Sequence, residues 1–338
     1  MHNYIYLLPY IVSFIVFVLI FYSRKASSTQ LNIIDIPDLN RKKHKKPTPL
    51  IGGFQIIFFL SIFFLIDKFV AEVLNINFKI YLFSLIIFFV GFIDDRNNLS
   101  GYIKIFTIYA ITLFFLLNSD DLVLNELYFS TFDKIFSLNS YNIFITSFFI
   151  LILINAFNLS DGINGLAVGI AIIWLIYLNF VFFSKIDLFM MSLIFFLIIN
   201  FYYIYNGYYF LGDSGSLLLS SFIGLLTINN YATLDLESNL IPVEKIFILF
   251  MIPGIDMARV FLIRVFKKKR PFHGDRIHFH HLLINKFSLK KSLMIYFLII
   301  IIPLLLMELT NISYLVIIIL YSILFVAVSL LLNNKKII

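Results

Sequence analysis

Long apolar runs broken by short polar segments fill this chain, and their spacing predicts its elements. A helix that crosses a membrane needs about 17–25 mostly apolar residues. Runs of that kind begin near Tyr4, Leu50, Ile80, Ile103, Ile143, Leu166, Leu188, Ser216, Val243, Ser292 and Tyr314. Eleven helices are therefore expected, each placed to within about four residues. The first run lacks a basic flank before it and a small-residue cleavage site after it. It reads as an uncleaved helix rather than a signal peptide.

Composition strengthens this picture. Of 338 residues, 61% are hydrophobic and 13% charged, and 42 are Phe. A soluble fold must cover itself with polar side chains and does not need so much apolar surface. The fold class expected is an all-α polytopic membrane protein, with residues 1–338 forming one integral-membrane domain. The absence of Cys excludes disulfides, thiolate metal sites and Cys nucleophiles.

A net charge of +7 would suit nucleic acid, but its distribution speaks against that partner. With eleven spans, 21 of the 26 Lys and Arg fall on one side of the membrane, in the segments 24–46, 96–104, 259–291 and 335–336. Lys68, Lys79, Lys134, Lys185 and Lys245 fall on the other. The positive-inside rule then puts the rich side in the cytoplasm, with the N-terminus outside and the C-terminus inside.

The polar interruptions share that side. They are "DIPDLNRKKHKKPTPLIGG" (35–53), "GFIDDRNNLSG" (91–101), "NLSDGING" (158–165), "NGYYFLGDSGS" (206–216) and "KKKRPFHGDRIHFHH" (267–281). Loops on the other side, such as "SDDLVLNELYFSTFDK", carry scattered charge without a pattern that suggests chemistry.

Asp94 and Asp95 form an acidic pair at a helix end. Two such carboxylates repel each other and are costly to desolvate, and a divalent cation or a basic partner is the usual remedy. Hard oxygen ligands suit Mg²⁺. Two solvated interfacial acids with Arg96 beside them would be the plainer account. Asp161 and Asp213 each stand beside Gly at a helix boundary, where exposed N–H groups favour an anion such as phosphate. Taken alone, Asp213 or Ser214 could simply cap the helix expected near Ser216. Capping does not explain four carboxylates on one face among helices that otherwise exclude charge.

The last polar segment gathers His273, His278, His280 and His281 with Arg270 and Arg276. Donors to a nucleotide or sugar phosphate suit these residues better than zinc, for which no Cys and no clear third ligand are present. The Lys run 267–269 reads as a headgroup anchor. Acids for a cation, bases for anions and a membrane location together suggest phosphoryl transfer involving a lipid, in which the protein positions groups and stabilises charge. A transporter or lipid flippase is the alternative from another class, and it would distribute acids through the depth of the membrane.

In the order and form of these motifs, from about Asp35 to about Leu283, the chain resembles the bacterial polyprenyl-phosphate N-acetylhexosamine-1-phosphate transferases of glycosyltransferase family 4. The resemblance implies transfer of a sugar 1-phosphate from a UDP-N-acetylhexosamine to polyprenyl phosphate, with release of UMP. It implies Mg²⁺ as cofactor, with Mn²⁺ able to substitute, and a bacterial inner (cytoplasmic) membrane location. The partners are the UDP-sugar, the polyprenyl phosphate and membrane lipid; a homodimer stays open. By motif, Asp94 and Asp95 are assigned to the lipid phosphate and the cation region, Asn158 and Asp161 lie near the nucleotide, and Asp213 is the metal ligand. These four acids form the implied catalytic set. Phe210 lines the nucleotide site, Lys45 is a basic residue close to it, and Arg276, His278, His280 and His281 belong to the sugar-nucleotide loop.

One position departs from the family pattern. Where many relatives read Asp-Gly-x-Asp-Gly, this chain reads "DGING", so Asn164 replaces the second acid. Asn can still hydrogen-bond a base, but it carries no charge. The "DRIHFHH" form resembles the O-antigen and common-antigen branch more than the peptidoglycan branch, whose phospho-MurNAc-pentapeptide transferases are the alternative within the family.

Overall fold

A computed structural model describes residues 8–37, 46–66, 77–183, 187–233, 240–269 and 276–333. Lys45, Arg270, His273 and the expected start of the first span at Tyr4 lie outside these described residues.

An apolar run without water must satisfy its backbone within itself, and the helix is the local way to do so. Among the described residues, eleven helices of fifteen or more residues follow the apolar runs: α1 (Leu8–Leu31), α2 (Gly52–Ile66), α3 (Phe78–Asn97), α4 (Gly101–Leu116), α5 (Asn142–Ser160), α6 (Leu166–Phe182), α7 (Leu188–Tyr205), α8 (Gly212–Ala232), α9 (Val243–Phe266), α11 (Leu289–Leu309) and α12 (Tyr314–Asn333). A short helix, α10 (Phe279–Lys286), precedes α11. Two small antiparallel ribbons are also present: β1 (Ile34–Asp35) with β2 (Thr48–Pro49), and β3 (Glu126–Phe129) with β4 (Lys134–Ser137). Five of the helices (α5, α7, α9, α11 and α12) are long and apolar enough to cross a membrane, and α2, α4 and α6 are shorter apolar helices. The protein is a helical integral-membrane protein.

Helix α8 is the axis of the fold. Nearly every residue from Gly212 to Ile228 is buried, and α2, α3 and α5 pack around it. Several of its hydroxyls are satisfied within the helix: Ser220 Oγ donates to the Ser216 carbonyl (2.7 Å) and Thr227 Oγ1 to that of Ile223 (2.8 Å). Helix α3 reaches it through Gly91, where a Cβ would stand 2.5 Å from the Asp213 carbonyl and 2.6 Å from the Ser214 Cα. Only glycine permits that backbone approach, and it brings the end of α3 onto the first turn of α8.

The segment before α2 is tied to the same place. Phe210 N donates to the Pro49 carbonyl (2.9 Å), and Gly52 N and Gly53 N donate to the carbonyls of Phe210 (3.0 Å) and Leu211 (3.1 Å). At the far end of the bundle, Asn77 before α3 bonds Asp121 (2.9 Å) and Asn229 of α8 (3.0 Å), and Lys245 of α9 pairs with Glu308 of α11 (2.8 Å). The β3–β4 hairpin docks there as well. Glu244 accepts from the backbone and hydroxyl groups of Ser130 and Thr131, at 2.9–3.3 Å. The scattered polar residues of that loop are thus structural. By contrast α12 buries only Ile317, Phe325 and Ser329 and turns the rest of its apolar surface outward, as a lipid-facing helix does.

Candidate active site

Four helix ends meet at the end of the bundle opposite the β3–β4 hairpin. Asp94 and Asp95 come from the last turn of α3, Lys104 from the first turn of α4, Asn158 from the last turn of α5 and Asp213 from the first turn of α8. Lys104 is the hub. Its Nζ donates to Asp94 Oδ2 at 2.6 Å, Asp213 Oδ1 at 3.2 Å and Asn158 Oδ1 at 3.3 Å. An ammonium has three N–H donors, and these three acceptors match them. Asn158 Nδ2 in turn donates to Asp213 Oδ1 and to Ser216 Oγ, the latter at 2.7 Å.

The two members of the acidic pair have different surroundings. Asp94 is buried, and its second oxygen accepts from Leu99 N (2.7 Å) in the turn that ends α3. Asp95 accepts from Asp213 N (2.7 Å) on one oxygen and Ser214 N (3.0 Å) on the other. It therefore caps α8 from a neighbouring helix, satisfying two of the N–H groups that any helix start leaves without an intrahelical partner. The helix begins at Gly212, four residues before the expected Ser216, and Asp213 is free of capping duty. Its side chain is 36% exposed, and the bonds from Lys104 and Asn158 both go to Oδ1.

Asp161 follows the end of α5, in the broken segment 161–165 before α6. Burial, followed by the charges of Asp213 and Asp95, pushes its carboxyl up to about 8. In the same segment Gly162 is pressed by His280: a Cβ there would stand 2.0 Å from His280 Nε2. Asn164 turns toward the 206–210 turn, its Nδ2 3.7 Å from the place a Gly207 Cβ would take. Phe210 lies half-buried beside Pro49 and Gly52 in that same region.

The histidine loop is held from α9. Asp256 and Arg259, one turn apart and buried, form an ion pair at 2.6 Å. Asp256 Oδ2 meets His278 Nδ1 at 2.9 Å, and Phe279 N donates to both carboxylate oxygens at 3.2 Å. Arg259 Nη2 also donates to the Ile277 carbonyl (2.7 Å). His278 and His280 lie with rings parallel at 10° and centroids 5.8 Å apart; the His281 ring is 4.2 Å from that of His280. Burial, and then the neighbouring His281, holds His280 well below the ordinary histidine range, so its ring is neutral. Arg276 stands half-buried at the start of the loop.

The structure thus gathers Asp94, Asp95, Asn158 and Asp213 into one network, brings Asp161 within electrostatic reach of Asp213 and Asp95, and sets His280 against Gly162 at its edge. Lys104, Ser216, Asp256 and Arg259 were not anticipated as site residues; Lys104 and Arg259 entered the sequence reading only as loop charges. The signal for the last two was present in "PGIDMARVF", an acid and a base one turn apart inside an apolar helix, where an ionisable residue is by default a functional candidate.

Comparison with known proteins bears on the same residues. Residues 77–230, which carry the acidic pair, Lys104, Asn158, Asp161 and Asp213, match the family described as glycosyl transferase family 4. Similar curated proteins are named undecaprenyl-phosphate alpha-N-acetylglucosaminyl 1-phosphate transferase. That of Escherichia coli (strain K12) is 25% identical over 282 residues, covering 79% of this chain and 72% of the relative. That of Thermotoga maritima is 28% identical over 269 residues, covering 78% and 76%. Over residues 77–230 the chain is similar to glycosyl transferase family 4. That similarity, with the names of these relatives, indicates a transferase enzyme. The matched segment ends before α9, so the Asp256–Arg259 clamp and the histidine loop lie beyond it.

Proposed function

We propose that this chain is a family 4 enzyme that transfers an N-acetylhexosamine 1-phosphate from a UDP-sugar to undecaprenyl or a related polyprenyl phosphate, releasing UMP and starting a lipid-linked cell-envelope glycan. The observation that carries this reading is the convergence of Asp94, Lys104, Asn158 and Asp213 at one end of a membrane helix bundle. All eleven long helices are proposed as spans, and the Lys/Arg asymmetry supports placing this end at the cytoplasmic face of the bacterial inner membrane. A transporter would need acids through the membrane depth; here the carboxylates crowd one end.

Two anionic phosphates must be brought together, and charge is the main obstacle. The lipid phosphate, with a second pKa of about 6, already carries most of its charge at neutral pH and needs little help from a base. One of its oxygens attacks the sugar-bearing phosphorus, the bond to the bridging oxygen breaks, and that electron pair leaves on UMP. Asp94 and Asp95 have both carboxylate oxygens engaged, by Leu99 N and Lys104 and by the α8 amides respectively. That favours direct attack over a covalent aspartyl intermediate. Lys104 supplies positive charge at the junction, Asn158 holds Asp213 in place, and Asp161 stands at the nucleotide side.

The donor set also suits Mg²⁺. Among the described residues no group of three His, Asp or Glu side chains forms a closed metal cage. Mg²⁺ is commonly held by one or two carboxylates plus substrate phosphates. Asp213, partly exposed and bonded through Oδ1, is the residue that would hold it. Bound there, the cation would offset charge on the phosphates.

The test is UMP release by the purified protein, given polyprenyl phosphate, Mg²⁺ and a panel of UDP-N-acetylhexosamines. Release with at least one sugar is expected, with inversion of configuration at the transferred phosphorus. A folded protein that releases UMP from none of them removes the proposed function, and retention at phosphorus removes direct attack.

A further inference from the structure

The second half of the site repeats a device seen in the first. Asp95 on α3 receives the backbone N–H groups that open α8, and Asp256 on α9 receives the Phe279 N–H that opens α10. In both cases a carboxylate from another helix fixes the start of a helix that carries site residues. Asp256 does more than cap. It also meets His278 Nδ1 at 2.9 Å, and its partner Arg259 binds the Ile277 carbonyl at 2.7 Å. Three consecutive residues, Ile277, His278 and Phe279, are therefore held by one acid–base pair.

This arrangement decides which nitrogen of His278 carries its proton. A carboxylate only accepts, so the ring nitrogen facing it must be N–H. That nitrogen is Nδ1. The other, Nε2, is buried and has no hydrogen-bond partner in the protein, and both nitrogens of the neighbouring His280 share that condition. The two parallel rings lie where His280 touches Gly162, next to the segment that holds Asn158 and Asp161. Three of the buried polar atoms left without protein partners thus belong to the histidines that border the carboxylate network.

We propose that Asp256, with Arg259, is a positioning residue: it fixes His278 as the Nδ1–H tautomer, so that Nε2 is the acceptor offered to a hydroxyl or acetamido N–H of the sugar nucleotide. The assignment of substrate rests on the proposed transferase function; the tautomer does not. Asn in place of Asp256 keeps the size and one acceptor oxygen but can turn an N–H group toward Nδ1, which forces the proton to Nε2. Where a carboxylate sets a histidine tautomer in this way, its change to amide costs up to about 10⁴-fold in turnover with geometry intact.

Two measurements test this. The first is ¹⁵N NMR of histidine-labelled protein in detergent, with the His278 signals assigned by their loss in His278→Asn. Wild-type protein should show a pyrrole-type Nδ1 and a pyridine-type Nε2, and Asp256→Asn should reverse them. A wild-type Nε2–H tautomer, or an unchanged tautomer in Asp256→Asn, overturns the proposal whether or not the protein releases UMP. The second is kinetics. Asp256→Asn should lower UMP release by about 10²-fold or more. His278→Asn, whose amide still donates to Asp256, should melt near the wild-type temperature yet lose turnover to a similar degree. Full activity in folded His278→Asn, or in Asp256→Asn with a reversed tautomer, would leave Asp256 as a structural cap and overturn its role in the reaction.

Discussion

Replacing Asp213 by Asn is expected to lower UMP release by about 10³-fold, the scale of losing one preorganised electrostatic group at a reacting centre. The reasoning starts from what the substitution leaves alone. Asp213 N and Ser214 N stay bound to Asp95, so the first turn of α8 keeps its cap and the fold its axis. What changes is the charge on one partly exposed side chain. Lys104 and Asn158 both donate to Asp213 Oδ1, and the amide keeps an oxygen for only part of that task while adding donors of its own. An amide is also a poor ligand for Mg²⁺ beside a carboxylate. The variant should therefore melt near the wild-type temperature, and its melting should lose sensitivity to added Mg²⁺. Stripping divalent cations from the wild type should reproduce the kinetic defect, and restoring Mg²⁺ should reverse it only in the wild type. Substantial turnover in Asp213→Asn would remove this residue as the cation ligand.

The division between what the chain announces and what only the fold supplies follows the range of each interaction. Helix positions were legible because each apolar run must satisfy its own backbone, a local requirement. Eight of the eleven expected starts, among them Leu166, Leu188, Val243 and Tyr314, fall within two residues of the observed ones. The start of α8 was placed late because its cap comes from Asp95, more than a hundred residues earlier, and no nearby residue signals it. The carboxylates were legible because charge at a membrane edge is expensive and needs a reason. Their partner was not. Lys104 reads as one more cytoplasmic charge until α4 sets it between Asp94 and Asp213. Asp161 and Asn158 stand in one motif yet do different things, since Asn158 joins the Lys104 network while burial, and then the charges of Asp213 and Asp95, raises the Asp161 carboxyl. Spacing alone could not separate them.

Lys104→Met should cost both stability and turnover, and its response to Mg²⁺ should tell the two apart. The side chain is 15% exposed and its ammonium is shared by Asp94, Asp213 and Asn158. Methionine fills much of the same space without charge. Asp94, buried at 6% side-chain exposure, would then keep its bond from Leu99 N but lose its counter-ion. Removing one partner of a buried pair costs roughly 3–5 kcal/mol, because the remaining charge is left uncompensated. The partial exposure of Asp213 and hydration of the vacated site place the expected loss toward the lower end. A divalent cation brings back positive charge at the same junction, so Mg²⁺ should raise the melting temperature of Lys104→Met by more than it raises that of the wild type. Turnover should stay down by about 10²-fold even at saturating Mg²⁺, since the ammonium also offsets charge on the approaching phosphates. Adding Asp94→Asn to Lys104→Met removes the uncompensated carboxylate and should recover much of the stability while leaving turnover low. If the double variant were no more stable than the single one, the stability cost would lie in packing rather than charge. If Lys104→Met turned over at the wild-type rate, the ammonium would be a structural counter-ion for Asp94 and Asp213, and the charge that brings the two phosphates together would have to come from elsewhere in the site.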